Sequence, residues 1–470
     1  MVAALLRLLA AVFSQGFLAT DDHHVVVNAA DQIASGTPLA TTYARSVLFP
    51  GVIGAIMALG RGIGIHDPGH EMLLVRLIQA AYSLLAVYFV YRMLERSLGK
   101  DSALLGGFLA AAFFAMAVTA VHQLEESICQ VPLLAACWWW QRTEDGDQPS
   151  AVWGALAGAA LGTALILRFP LIAFAAAFVV LTLFRPAARS AKLAFMGGLA
   201  CVIVLQGFSN AVVNDQWGYS FIHRLGAMLH PQRMAVESDG FPSAPPWHYI
   251  LTLLAALIPP ASILLLAAAV AGGRQLSLLG IPTLAFFVSH SVIANKQERF
   301  LLPILPILFI LIVAGLPWLA ARITIRRAYR GMWWYFWIVN AALLIVLTFS
   351  FTKQDRVAPL LYVYRRHDAT GVLIAQYNQT FRVPDYYLGR PKPALLVLQQ
   401  RDEVPVSGFA INYVVLYSDS LAADRAFLEG ALHQRLTLLT VITPSLADRL
   451  AHAVNPRHNK ARNAAVYTTL

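Results

Sequence analysis

LLPILPILFILIVAGLPWLAA, residues 301–321, carries no charged residue and is long enough to cross the roughly 30 Å hydrocarbon core of a bilayer as one helix. In such a medium every backbone N–H and C=O must be paired without water, which leaves an open chain little choice but helix. SAVWGALAGAALGTALIL, residues 150–167, makes the same demand, and comparable runs recur along the chain. We read about eleven spans: roughly 2–18, 71–91, 102–121, 128–141, 151–167, 170–184, 193–213, 248–270, 276–293, 301–320 and 332–351. The chain is therefore expected to be a polytopic α-helical membrane protein. Its composition agrees, with 58% hydrophobic and 13% charged residues, against about 25% charged in soluble domains.

A net charge of +10 would suit nucleic acid, but the distribution of the basic residues gives a different reason for it. With the N-terminus in the cytoplasm, the inner loops hold Arg92, Arg96 and Lys100, then Arg142, then Arg185, Arg189 and Lys192, then Arg274, then Arg322, Arg326, Arg327 and Arg330. That is the positive-inside pattern, so the charge sets orientation and no nucleic-acid partner is expected. The first run could be misread as a signal peptide; it is kept as a span because the alternation needs an odd count. Cys129, Cys137 and Cys201 fall inside apolar runs without CxxC spacing, and are read as small packing residues.

The outer side then receives the long loop 19–70, the HQLEES loop near 122, Arg168 with Phe169, the loop 214–247, NKQERF from 295, and the tail. The transmembrane module is placed at 1–351. From 352 to 470 apolar and polar residues alternate in ALLVLQQ and NYVVLYSD, between helical stretches such as SLAADRAFLEGALHQRL. This predicts a small mixed α/β C-terminal domain on the non-cytoplasmic face, with an NQT sequon at 378–380.

Within the outer loops, LATDDHHVVVNAAD places Asp21 and Asp22 where the first apolar run ends. If that point is the C-terminal end of the first helix, its dipole disfavours carboxylates there, so they are candidates for a general base. Arg45, before Ser46 and Pro50, could bind an anionic phosphate. Asn214, Asp215, Trp217 and Tyr219 combine amide, carboxylate and aromatic groups in the manner of a sugar-reading surface, or of an interface belt. Pro245, Pro246, Trp247 and His248 mark a turn into the next span.

Lys296, Glu298 and Arg299 put two cations in a short outer loop, against the topological bias, which points to an anionic ligand such as a lipid phosphate. GxxxxGK[ST], GxSxG and HExxH are absent. Asp22, His23, His24 and Asp31 are the nearest approach to a metal set, but adjacent histidines rarely converge on one ion, and no metal or other cofactor is expected.

Taken in order, these stretches resemble the family 22 glycosyltransferases of the GT-C superfamily, the Alg9, Alg12 and PIG-B type of lipid-linked mannosyltransferase. The acidic pair after the first span is Thr20, Asp21 and Asp22; the RS…P element is Arg45, Ser46 and Pro50; the ND…YG element is Asn214, Asp215 and Gly218. Pro246, Trp247, His248 and Tyr249 match PWHWY, and NKQERFLLPILP matches HKExRFxxPxxP, the whole covering roughly residues 15–310. Asp22 stands where the family has Glu, Asn295 where it has His, and Gln297 where it has Glu; the last two changes each remove a titratable group.

The resemblance implies a GT-C fold and inverting transfer of a hexose, mannose first, from a polyprenyl-phosphate donor to a lipid-linked or cell-envelope glycan acceptor. It implies Asp21 as the base with Asp22 beside it. Arg45, Lys296 and Arg299 would neutralise the leaving phosphate. Asn214, Asp215, Trp217, Tyr219, Trp247, His248 and Glu298 would contact the sugar and acceptor. Transfer of an aminopentose or arabinose is the alternative within the same fold. A lipid or sugar transporter is the alternative from another class, and would show mid-span charges and an inverted repeat. Short loops and the lack of a retention signal favour a bacterial inner membrane over the endoplasmic reticulum, with the active site on the non-cytoplasmic face.

Overall fold

A computed structural model describes residues 1–39, 46–214, 243–293, 295–323, 326–377, 381–401, 410–418, 420–456 and 459–469. Five of the described helices are long and apolar enough to cross a membrane: Pro68–Leu98, Ser150–Leu167, Arg189–Val212, Glu298–Ala320 and Tyr329–Thr348. A sixth would be the pair His248–Ala256 and Ala261–Gln275, bent by 111°. Val2–Phe13, Leu48–Gly62, Phe169–Phe184 and Ser277–Val292 are shorter apolar helices. Most expected spans thus coincide with helices, but several are broken. The expected span 102–121 is Lys100–Ala112 followed by Phe114–Thr119, with extended Phe113 between them.

By packing, the chain divides into two units. The first comprises Met1–Leu8, Pro38–Gly51 and Ile78–Ile345, the second Leu9–Thr37, Val52–Leu77 and Val346–Leu470. The tail therefore does not pack alone, because segments 9–37 and 52–77 share its unit.

In the first unit, every residue from Leu305 to Gly315 is buried in the central helix Leu305–Ala320. The outward helices expose apolar side chains instead, such as Leu205, Phe208 and Val212 or Trp334, Ile338 and Ile345. Such continuous apolar exposure suits contact with lipid. Ser150–Leu167 and Arg189–Asn214 approach closely along Gly154, Gly158 and Gly162. A Cβ on Gly158 would lie 1.9 Å from the Phe195 carbonyl oxygen. Small residues four apart permit this approach, and packing rather than the hydrophobic effect holds helices together in lipid. Gly158→Val is expected to lower the unfolding midpoint of the detergent-solubilised protein by several degrees, while Gly197→Val, at an open position, leaves it nearly unchanged.

Arg7, in Val2–Phe13, is a buried charge that the sequence reading passed over. Its guanidinium donates to Ser83 Oγ at 2.9 Å and to the carbonyls of Ala110 and Ala111 at 3.1 and 3.0 Å. Those carbonyls end the helix Lys100–Ala112, where a cation is favoured, so Arg7 has a structural reason to be there.

The second unit holds strands β1 (Gln15–Gly16) and β2 (Phe351–Thr352), which pair in parallel. It also holds a five-stranded sheet of β3 (Gly371–Gln376), β4 (Ala394–Leu398), β5 (Tyr413–Tyr417), β6 (Leu436–Ile442) and β7 (Ala464–Thr469). The order is β4-β3-β5-β7-β6, parallel across the first three strands and antiparallel at β7. β3 and β5 are buried along their whole length, as central strands covered on both faces require. With helices Gln354–Tyr364, Leu421–Leu432 and Leu446–Val454, this is the mixed α/β arrangement expected from the tail.

Candidate active site

Asp21 and Asp22 lie in the first turn of the helix Thr20–Ala34, in the second unit. The first helix ends earlier, at Phe13, and a short strand intervenes. This corrects the dipole argument made from sequence: a carboxylate in a first turn is favoured by the helix dipole, not opposed by it. The expectation failed because the apolar run was read as one helix up to Leu18, when the chain breaks at Ser14 to pair Gln15 and Gly16 with Phe351 and Thr352.

The rest of that helix carries a dense set of polar contacts. Asp31 is buried, and its carboxylate accepts from Arg61 at 2.8 Å and from Arg390 at 2.9 Å. Arg61 also bonds Glu71 at 2.6 Å, and the Tyr386 hydroxyl donates to Glu71 at 2.8 Å. Burial alone would raise the Asp31 pKa, but the hydrogen bonds from Arg390 and Arg61 outweigh it and hold the group below its ordinary 3.8. His24 Nε2 donates to the Arg382 carbonyl at 2.9 Å, and burial pushes its pKa below 6.5. His23 is stacked between Phe17 and Tyr387, at centroid distances of 4.5 and 5.6 Å. His23, which the sequence offered only as part of a weak metal set, is thus a packing group of this unit, and His24 is anchored by the Arg382 carbonyl.

Both shifts have one sign for stability. A group with a depressed folded pKa stabilises the fold above its unfolded pKa and loses that contribution as pH falls. The contribution of His24 should fade as pH drops below 6.5 and that of Asp31 as it drops below 3.8. Unfolding midpoints measured from pH 7.5 to 5 should decline for the wild type, and decline less for His24→Gln.

In the first unit, the structure gathers charges that the sequence reading had placed in separate loops. Glu126, fully buried, is 2.8 Å from Arg168 Nη2 and 3.4 Å from Arg299 Nε, and Glu125 is 3.6 Å from Arg168 Nη1. The Arg168 guanidinium lies 4.8 Å from the Phe300 ring centroid, and that of Arg299 5.7 Å from it. Two carboxylates and two guanidiniums thus share one buried corner, with Lys296 on the same loop as Arg299. Burial of a carboxylate requires such partners.

Lys296 itself is buried, and its ammonium donates to the carbonyls of His290 at 2.8 Å, Ser291 at 2.9 Å and Ile293. These are the last carbonyls of Ser277–Val292 and its cap, where a cation is stabilised.

The PWHY and NKQERF elements meet. Ser243 and Asn295 form an antiparallel bridge, the Gln297 amide donates to the Tyr249 hydroxyl at 3.3 Å, and Lys296 lies 5.2 Å from the Tyr249 ring centroid. His248 Nε2 and Asn295 Oδ1 are buried with no hydrogen-bond partner among the described residues. Trp247 and Glu298 are exposed. Asn214 ends Arg189–Asn214, while Arg45, Asp215, Trp217, Tyr219 and the 378–380 sequon lie outside the described residues.

Glu125, Glu126 and Arg168 were not selected from the sequence, although their loops were noted. The missed signal is loop length. Charged residues in a connection only a few residues long, between two apolar runs, cannot reach water freely and must find one another. Among the described residues, no three His, Cys, Asp or Glu side chains are grouped so as to hold a metal.

The fold is that of a GT-C type polytopic membrane protein. ArnT from Cupriavidus metallidurans bound to undecaprenyl phosphate superposes with a TM-score of 0.62 at 14% identity, over 98% of this chain and 96% of that one. The mycobacterial arabinofuranosyltransferase AftD superposes with a TM-score of 0.52 at 15% identity, over 89% of this chain and 35% of that one. The Archaeoglobus fulgidus oligosaccharyltransferase gives 0.52 at 11% identity, over 92% and 70%. No curated protein sequence matched the chain. The model of the Alg9-like mannosyltransferase family matches residues 1–383. The chain belongs to that family, and is a membrane glycosyltransferase.

Proposed function

We propose that the protein transfers a hexose, mannose first, from a polyprenyl-phosphate donor to a lipid-linked or cell-envelope glycan, with inversion, on the non-cytoplasmic face of a bacterial inner membrane. The observation that carries this reading is the buried corner of Glu126, Arg168 and Arg299. A leaving phosphate gains most from cations fixed in place before the reaction, because none must then reorganise as charge develops. Glu126 orients both guanidiniums, and Arg299 is the one that contacts the phosphate. Lys296 contributes from the connection beyond Ser277–Val292, holding the loop to that helix end as well as adding charge. His248 and Asn295, each with a buried polar atom lacking a partner among the described residues, are suited to hydroxyls of the sugar.

Asp21 is the base that deprotonates the acceptor hydroxyl, and Asp22 its neighbour. Arg45, Asn214, Asp215, Trp217, Tyr219, Trp247 and Glu298 keep the roles that the family resemblance gives them. ArnT was crystallised with undecaprenyl phosphate, a lipid phosphate of the class proposed here.

Incubating the purified protein with a panel of polyprenyl-phosphate sugars and membrane glycolipids, followed by mass spectrometry, tests the donor and acceptor together. A hexose-loaded glycolipid is the expected product. Loading only from an aminopentose or arabinose donor would establish the alternative sugar, and no transfer from any donor would refute the assignment. Arg299→Ala is expected to raise the donor KM by about tenfold or more, since charge-assisted bonds contribute more than neutral ones, with little change in acceptor KM. An unchanged donor KM would remove Arg299 from the phosphate site.

A further inference from the structure

A cavity of about 610 Å³ lies wholly within the second unit, between the helix Thr20–Ala34 and the edge of the sheet at β4. Its polar lining comprises His24, Asn28, Gln376, Arg382, Asp385 and Gln399. Val25, Phe381, Leu395 and Val397 supply its apolar walls. A second cavity of about 530 Å³, lined by Asn28, Asp31, Thr37, Asp385 and Arg390 among others, shares Asn28 and Asp385 with the first. Asn28 Nδ2 donates to Asp385 Oδ1 at 3.4 Å, so these two side chains form the common wall.

The hydrogen-bonding inventory suits a neutral polyhydroxyl ligand. Gln376 is only 1% exposed; its Oε1 accepts from the Phe381 amide at 2.9 Å, and its Nε2 donor has no partner among the described residues. Because His24 Nε2 donates to the Arg382 carbonyl, its Nδ1 remains an acceptor in the neutral ring. The Asn28 bond to Asp385 uses a donor and leaves its Oδ1 as an acceptor. Asp385 adds a carboxylate, itself neutralised by Lys392 at 2.9 Å. The Gln376 amide donor and the acceptors of His24, Asn28 and Asp385 share the cavity with an apolar wall, an arrangement matched to hydroxyls and C–H faces. A hydrocarbon chain would leave the Gln376 amide unsatisfied, and because Lys392 neutralises Asp385 and Arg382 also lines the cavity, a phosphate sugar is the control that separates a neutral from an anionic ligand.

Asp21 lies seven residues before Asn28 in the same helix, which is about two turns, so both positions fall on one helix face. We propose that this cavity is a binding subsite for a hexose of the acceptor glycan. It rests on the glycosyl-transfer reading given above, and assigns the acceptor side of that reaction to the sheet domain.

The test uses the full-length protein in nanodiscs without donor, with mannobiose as the probe and glucose-1-phosphate as the anionic control, followed by saturation-transfer NMR and calorimetry. Mannobiose is expected to bind and the phosphate sugar not to. Gln399→Ala changes an exposed residue, and Gln376→Leu removes the unpaired amide; each is expected to weaken mannobiose binding by about tenfold. In turnover, both should raise acceptor KM by a similar factor while donor KM stays constant. Absence of mannobiose binding, or equal binding by the wild type and both variants, overturns the subsite. Preferential binding of the phosphate sugar overturns it in favour of an anion site. Mannobiose binding lost in both variants, in a protein that transfers no sugar from any polyprenyl donor, would retain the cavity as a glycan site and overturn the transferase reading instead.

Discussion

Asp21→Asn is expected to lower the rate of sugar transfer by about 100- to 10,000-fold, with membrane insertion and unfolding midpoint unchanged. Asparagine keeps the shape of aspartate and can still sit in a first helical turn, but it cannot accept a proton from the attacking hydroxyl. Initial rates with purified protein at saturating donor and acceptor decide the matter. Activity above about a tenth of wild type would exclude Asp21 as the base, whose general-base contribution is larger than that, and direct the same test to Asp22 and Asp215.

Arg168→Met is expected to destabilise the first unit by about 3–5 kcal/mol, the usual consequence of stripping a buried carboxylate of its partner. Glu125 and Glu126 both face Arg168, and the substitution would leave Arg299 to serve Glu126 alone. The double variant Arg168→Met with Glu126→Gln should regain part of the lost stability, because only Glu125 of the two carboxylates that faced Arg168 then keeps its charge. It should not regain transfer, because Arg299 loses the carboxylate that orients it. Unfolding midpoints in detergent, read beside donor KM, separate the two effects. A double variant no more stable than the single one would mean that Glu126 does not depend on Arg168 for its charge balance.

How much of this was legible beforehand differs by element. The long helices Pro68–Leu98 and Ser150–Leu167 follow from apolar length alone, because the bilayer leaves the backbone no alternative. The PWHY and NKQERF elements were identifiable as residue types, but not as partners: the Ser243–Asn295 bridge joins positions some fifty residues apart. The end of the first helix was misread because nothing local announces the strand at Gln15, whose partner Phe351 is more than three hundred residues away.

The sequence by itself determined the membrane class, the family through residues 1–383, and the cations of the NKQERF element, since hydropathy and motif order are properties of the chain read in one direction. Only the tertiary structure decided which charges share a partner. Glu126 with Arg168 and Arg299, and Asp31 with Arg61 and Arg390, are pairings between distant segments. Burial makes a charge seek a counter-charge, but which one it finds depends on how the helices and sheet bring the loops together.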